Sequence, residues 1–472
     1  MAQSDGAVTE DRRSLSCATV SAGICGCAVY FTAPFAARPG TRSSMTTPEP
    51  ERSLDRALSR RDLTAFAVNR VIGAGIFGLP AVLYAGVGPP SVVAMLLAAI
   101  LIALITVCFA EVGSRYRDTG GPYLYAHEAF GPVVGFEVGW LMWVTQLGGF
   151  AAVINLLVNY AGWFVPAITA GPWRVVIITA VIAALAVVNI LGVRRAAILN
   201  NVLTVGKLVP LAAFVLVGLF FLETDLFVAT PTLANDAGLA GAVFLAIYAY
   251  SGFETIGVPS GEVQDPSRSI PFALLGGLAV VATVYLGVQV VAVGTLPDLG
   301  TSSRPLADAA DRIFGGWGGA FMAVGAIIST LGVAHAIILS AGRMPFAMAE
   351  RGQLPNGIAA VHPRYHTPYV SILVSVVCMW VFTLVTTFTS ALTFTVGLRV
   401  IIYLTTCASL PVLRRGGVAA PFVLPGGPVV AVACILVCVV LLALRPWAET
   451  LQLLLFVATG LVLWAAVGRR MG

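Results

Sequence analysis

Apolar runs of about twenty residues recur from residue 64 to the end of the chain, and no other feature constrains the fold as strongly. A helix rising about 1.5 Å per residue needs about twenty apolar residues to cross the hydrocarbon core of a bilayer. Twelve such runs can be read, at about 64–87, 91–112, 132–160, 173–192, 199–222, 239–259, 271–295, 316–341, 369–388, 391–413, 427–444 and 448–468. Pro, Gly and charged residues separate them, as helix ends require. Only 10% of the residues are charged and 58% are hydrophobic, whereas a soluble domain carries about 25% charge. The expectation is an all-α polytopic membrane protein with twelve transmembrane helices.

The arginines test this count. With the N-terminus inside, the inner flanks hold Arg52, Arg56, Arg60, Arg61, Arg115, Arg117, Arg194, Arg195, Arg268, Arg343, Arg351, Arg364, Arg414, Arg415, Arg469 and Arg470. The outer flanks hold Arg174, Arg304, Arg312 and Arg445. Sixteen against four is a positive-inside bias that a miscount by one span would scramble. A multi-pass protein of the cell membrane with both termini cytoplasmic is therefore expected. The net charge of +5 belongs to these flanks and does not point to nucleic acid.

Residues 1–62 read as an extension, expected to be disordered. Arg12 and Arg13 before an apolar run at 17–37 imitate a signal peptide. Cleavage there would contradict the charge bias, so a dispensable tail or a start at Met45 is the reading. Cys108, Cys378, Cys407, Cys434 and Cys438 fall inside apolar spans and read as small hydrophobes. The four histidines lack metal-ligand spacing, and no motif for nucleotide hydrolysis occurs. Neither a metal site nor a cofactor is expected.

Residues 71–80 read V-I-G-A-G-I-F-G-L-P. Glycines at this density cost up to about 1 kcal/mol each in a helix. One reading is a deliberate break that frees backbone N–H and C=O groups for a ligand near the membrane midplane. Another is close helix packing through small residues. The G-x-G-x-x-G spacing would need a soluble βαβ unit to bind a dinucleotide, and apolar helical sequence flanks it instead. The sixth span carries a second interruption, Y-A-Y-S-G-F-E at 248–254. It opens a second unit of five spans. Because five is odd, the two units face opposite ways across the membrane. An inverted repeat with a broken first helix in each half marks a transporter and favours the ligand-site reading. The units are 63–222 and 239–413, with two peripheral helices over 427–468.

Several stretches resemble the amino acid–polyamine–organocation (APC) superfamily. They are V-N-R-V-I-G-A-G-I-F-G-L-P at 68–80, T-G-G-P-Y-L-Y at 119–125, N-N-V-L-T-V-G-K-L at 200–208 and Y-A-Y-S-G-F-E-T at 248–255. G-E-V-Q-D-P-S-R-S-I-P at 261–271 and G-R-M-P-F-A-M-A-E-R-G-Q-L-P at 342–355 complete the set. The resemblance implies a five-plus-five inverted-repeat fold and amino-acid transport, with substrate held between broken helices 1 and 6. Ala74, His335 and Arg399 depart from the family pattern, where serine, asparagine and an uncharged residue are common.

A zwitterionic substrate needs both its charges held. Backbone N–H groups at Gly73, Ala74 and Gly75 would suit a carboxylate. Carbonyls around Ile72, and around Tyr248 and Ala249 before Ser251 and Gly252, would suit an ammonium. By the resemblance, Tyr248 closes over the substrate. Lys207, the chain's only lysine, lies about nine residues into the fifth span, near mid-membrane. An ionisable group at that depth is a functional candidate by default, and a desolvated lysine can release its proton. By the resemblance it stands where related transporters bind sodium. Proton coupling, or a fixed substitute for a sodium ion, is expected. Glu254 is a candidate proton acceptor or gate, with Arg70 as partner to Glu254 or Glu262. Arg399 either lines the outer vestibule or snorkels to the headgroups, and His335 reads as a buried packing residue. Glu111 and Glu137 read as gate or fold elements. The function expected is proton-coupled amino-acid symport by alternating access, with obligate exchange as the main alternative and a membrane sensor or intramembrane enzyme as more remote ones.

Overall fold

The computed structural model describes residues 59–116, 120–191, 207–228, 238–257, 263–350, 352–365, 367–417 and 420–467. Glu262 and nearly all of the 1–62 extension lie outside these residues. The described chain is helical, and eight of its helical segments are long and apolar enough to cross a membrane. They are Leu63–Val87, Ser91–Ser114, Pro132–Ala161, Gly171–Leu191, Pro266–Thr295, Gly316–Glu350, Phe388–Arg415 and Trp447–Ala466. Shorter apolar helices follow at Lys207–Phe221, Tyr369–Val385 and Gly427–Ala443.

We label the helices in order: α1 Arg60–Val71, α2 Ala74–Val87, α3 Ser91–Ser114, α4 Pro122–Phe130, α5 Pro132–Ala161 and α6 Gly171–Leu191. Then come α7 Lys207–Phe221, α8 Gly238–Tyr250, α9 Pro266–Thr295, α10 Pro305–Phe314, α11 Gly316–Ala341 and α12 Arg343–Glu350. The last four are α13 Tyr369–Val385, α14 Phe388–Arg415, α15 Gly427–Ala443 and α16 Trp447–Val467. The short helices α4, α10 and α12 were not anticipated, because each is too short and too polar to show as an apolar run. α1 begins at Arg60, inside the segment read as extension.

The exterior is apolar where a bilayer would lie. Val93, Leu96, Leu97, Ile100 and Leu104 form one exposed stripe on α3. Their spacing of three to four residues is a single helix face. α15 and α16 present similar faces, with Val429, Val432, Leu436, Leu451, Leu455 and Val462 exposed. Apolar surface on this scale would aggregate in water and is satisfied by lipid. The chain is a multi-pass membrane protein.

The interior is built around α5, which packs against α11, α13 and α14, while α3 packs against α8, α9 and α14. α1 lies along α9, and α2 lies against α8. The two glycine-rich interruptions are thus enclosed by α3, α5, α9, α11 and α14.

Candidate functional site

The first helix does break. Ile72 and Gly73 leave helical geometry between α1 and α2, with Gly73 at φ −125° and ψ −147°. A helix C-terminus leaves its last carbonyls without intrahelical partners, and here their partners can be traced. The Val68 oxygen accepts from the Ile72 amide at 2.9 Å. Lys207 Nζ donates to the Asn69 oxygen at 2.8 Å and the Ile72 oxygen at 2.6 Å. The Tyr285 hydroxyl donates to the Val71 oxygen at 2.8 Å. Lys207 is 2% exposed, so its ammonium is held in the negative end of the α1 dipole, away from water. On the other side of the break, the Gly73 amide meets the Tyr285 hydroxyl, and α2 begins at Ala74 with a glycine at its N-cap. The first amides of α2 point from the positive end of a helix dipole, an arrangement suited to a carboxylate.

The second break touches the first. α8 ends at Tyr250, and Gly252 adopts a left-handed φ of +114°. A Cβ on Gly252 would sit 2.6 Å from the Arg70 carbonyl oxygen, and one on Gly75 would sit 2.8 Å from Ala249 Cα. Both glycines are therefore required by the close approach of the two interrupted segments. Thr255 Oγ1 donates to the Gly252 oxygen at 2.7 Å and accepts from Arg70 Nε at 3.2 Å. The Tyr248 oxygen accepts from the Ser251 hydroxyl at 2.6 Å and the Ser251 amide at 3.2 Å. The Ile72 carbonyl, anticipated as available, already has one protein donor and keeps one lone pair for a ligand, whereas the Tyr248 carbonyl has two donors and keeps none. Ala74, Ala249 and Ser251 are buried at the same junction.

Glu254 has a different partner from the one anticipated. Its Oε2 accepts from the Gly252 amide at 2.7 Å and from the Tyr403 hydroxyl at 3.2 Å. Its Oε1 lies 3.5 Å from Arg399 Nε, while Arg70 binds Thr255 instead. Arg399 does not snorkel. Its side chain is half-buried, with the guanidinium 5.7 Å above the Tyr248 ring, which sets a fixed positive charge beside the break. The Tyr248 hydroxyl faces the Gly149 carbonyl of α5 at 3.4 Å. α14 thus supplies two residues, Arg399 and Tyr403, one helical turn apart. The spacing of four was the available signal, but their acidic partner lies some 150 positions away in sequence.

The remaining candidates lie outside this junction. His335 Nδ1 is 3.0 Å from Asn189 Nδ2, joining α11 to α6. Glu111 is buried and accepts from Arg115 at 2.8 Å, from Arg414 Nε and Nη2 at 2.7 Å each, and from the Leu424 amide at 2.9 Å. It therefore ties α3 to α14 and to the segment leading into α15. Glu137 faces Gly460 of α16. A cavity of about 1010 Å³ opens between α2, α5, α6 and α14, lined by Gly78, Asn155, Arg174, Phe388 and Arg445 among others. It reaches Gly78, one helical turn along α2 from Gly75.

The two helix breaks thus meet at one junction, with Lys207 against the end of α1 and Glu254 near Arg399. The model of the amino acid permease family matches residues 58–467, and the chain belongs to that family. It is 31% identical over 319 residues to the serine/threonine exchanger SteT of Bacillus subtilis (strain 168), covering 65% of this chain and 71% of that one. It is 30% identical to the methylthioribose transporter of the same organism, covering 67% and 72%. The branched-chain amino acid permease BcaP is 22% identical over 89% of this chain and 94% of its own length. The protein is a membrane permease for amino acids.

Proposed function

We propose that the chain is a secondary active amino-acid transporter of twelve spans, in which a five-plus-five inverted repeat alternates access to the Gly73–Gly75 and Tyr248–Gly252 junction. The carboxylate of the substrate binds the first amides of α2, its ammonium the carbonyls at the end of α8, and Tyr248 covers it. The cavity reaching Gly78 is the entry route from the outside, on the side that the sparse arginines Arg174 and Arg445 mark as non-cytoplasmic. The observation that carries this reading is the direct contact of the two breaks at Gly252 and Arg70, since packing motifs alone have no reason to coincide there.

We assign proton coupling to Lys207. Protonated, it joins α7 to the Asn69 and Ile72 carbonyls and fixes α1 against it; deprotonated, it loses the charge that the α1 dipole attracts, so α1 is free to move. Transport of substrate with a proton follows if the two positions of α1 face opposite sides. Lys207→Met in proteoliposomes tests this. The expected result is uptake reduced at least about tenfold, with the residue of uptake indifferent to an inward proton gradient. Full uptake with unchanged pH dependence would remove the assignment.

Obligate exchange is the second reading, favoured by the similarity to a protein named a serine/threonine exchanger. Counterflow separates the two: uptake that requires internal amino acid and ignores a pH gradient means exchange.

A further inference from the structure

Away from the substrate junction, three thiols converge from three helices. Cys108 of α3, Cys407 of α14 and Cys434 of α15 have their sulfurs all within 4.8 Å of one another. Each residue is buried, at 0%, 0% and 1% exposure. A metal–sulfur bond of about 2.3 Å places the sulfurs of a trigonal site about 4 Å apart, so small side-chain adjustments close the triad around an ion. We propose that these cysteines form a binding site for a monovalent thiophilic cation of the Cu(I) class.

The donor set selects this class. Hard cations take oxygen ligands, whereas thiolates select Cu(I), zinc and iron–sulfur clusters. Structural zinc and iron–sulfur clusters take four protein ligands. Among the described residues, only these three His, Cys, Asp or Glu side chains converge at the cluster. Cys438, one turn further along α15 and also buried, is outside it. A three-sulfur site without a fourth ligand suits a d10 monovalent ion best.

Charge is also accommodated. Glu111 lies one turn beyond Cys108 and receives Arg115 and Arg414, so that group carries a net charge of +1. A monovalent ion held by two thiolates and one thiol carries −1. On binding, two S–H bonds are exchanged for metal–sulfur bonds, two protons pass to bulk water, and no electron is transferred. The ion would clamp α3, α14 and α15 together. α14 also carries Tyr403, one turn before Cys407, whose hydroxyl holds Glu254. Occupancy would therefore restrain the helix that supplies Arg399 to the junction.

The test uses the full chain with Cys17, Cys25, Cys27 and Cys378 replaced by serine, so that terminal and unrelated thiols do not bind copper. It is loaded with Cu(I) under anaerobic reducing conditions against a competing chelator and desalted. The expected result is about one copper per chain in an all-sulfur shell near 2.3 Å by X-ray absorption. Cys407→Ala or Cys434→Ala should lower retention at least about tenfold, whereas Cys438→Ala should leave it unchanged. Retention by the Cys108→Ala/Cys407→Ala/Cys434→Ala chain equal to that of its parent would overturn the proposal. So would a nitrogen or oxygen shell in the parent, a measurement independent of whether any triad variant folds.

Discussion

Gly252→Ala probes the contact between the two breaks. The residue sits at φ +114°, where a side chain costs about 1–3 kcal/mol. The added Cβ would lie 2.6 Å from the Arg70 oxygen and 3.1 Å from its carbonyl carbon. Both are backbone atoms, so no rotamer change relieves them. An ordinary carbon–oxygen contact of about 3.3 Å requires α1 and the second break to separate by about 0.7 Å. The backbone strain alone reduces the population of the joined state about 5- to 150-fold, and the separation adds to that. Reconstituted uptake of a labelled amino-acid mixture is the assay, with ligand-dependent thermal stability measured in parallel. Uptake should fall at least about tenfold, and the stabilisation by substrate should shrink with it. Gly276→Ala on α9 serves as control, since a Cβ there meets nothing within 4 Å. If Gly252→Ala transports and binds like the control, the two breaks do not form one site.

Arg399→Ala should strand Glu254 as a buried unpaired charge and destabilise the protein by about 3–5 kcal/mol. The double variant Arg399→Ala/Glu254→Gln should recover part of that loss, and thermal unfolding of the two single variants and the double variant would show the coupling. Glu111→Ala should leave Arg414 and Arg115 without their shared acceptor, at a cost of the same order. A matching fall in thermal stability is expected, with substrate-induced stabilisation of the surviving fold retained because Glu111 lies away from the junction.

Much of the scaffold was legible because its physical signals are local. The apolar lengths marked the eight helical segments long enough to span a membrane, and the glycines at 73 and 252 marked backbone that is not ordinary helix, while Gly75 lies inside α2. Lys207 stood out because a lone lysine deep in an apolar run needs a compensating partner, and the carbonyls of Asn69 and Ile72 supply one. The pairing of Glu254 with Arg399 was not legible. Depth and charge identify an ionisable residue as special but do not say which of several distant helices faces it. The same reason left open whether Arg70 would close on Glu254 or Glu262; its Nε donates to Thr255, and Glu262 lies outside the described residues. Carbonyl occupancy was hidden too: Tyr285 caps the Val71 carbonyl from a position that carries no pattern, and Ser251, though part of the second interruption, turns its hydroxyl back onto the Tyr248 carbonyl. The cysteines at 108, 407 and 434 share no spacing, and only the packing of α3, α14 and α15 brings them together.

On this mechanism the substrate occupies the junction of the two breaks. A cryo-electron microscopy structure with a transported amino acid bound tests it most directly. Density is expected with the carboxylate within hydrogen-bond reach of the Gly73, Ala74 and Gly75 amides and the remainder beneath Tyr248. Density confined to the cavity beside Asn155, Arg174 and Arg445, with the junction unchanged, would contradict it.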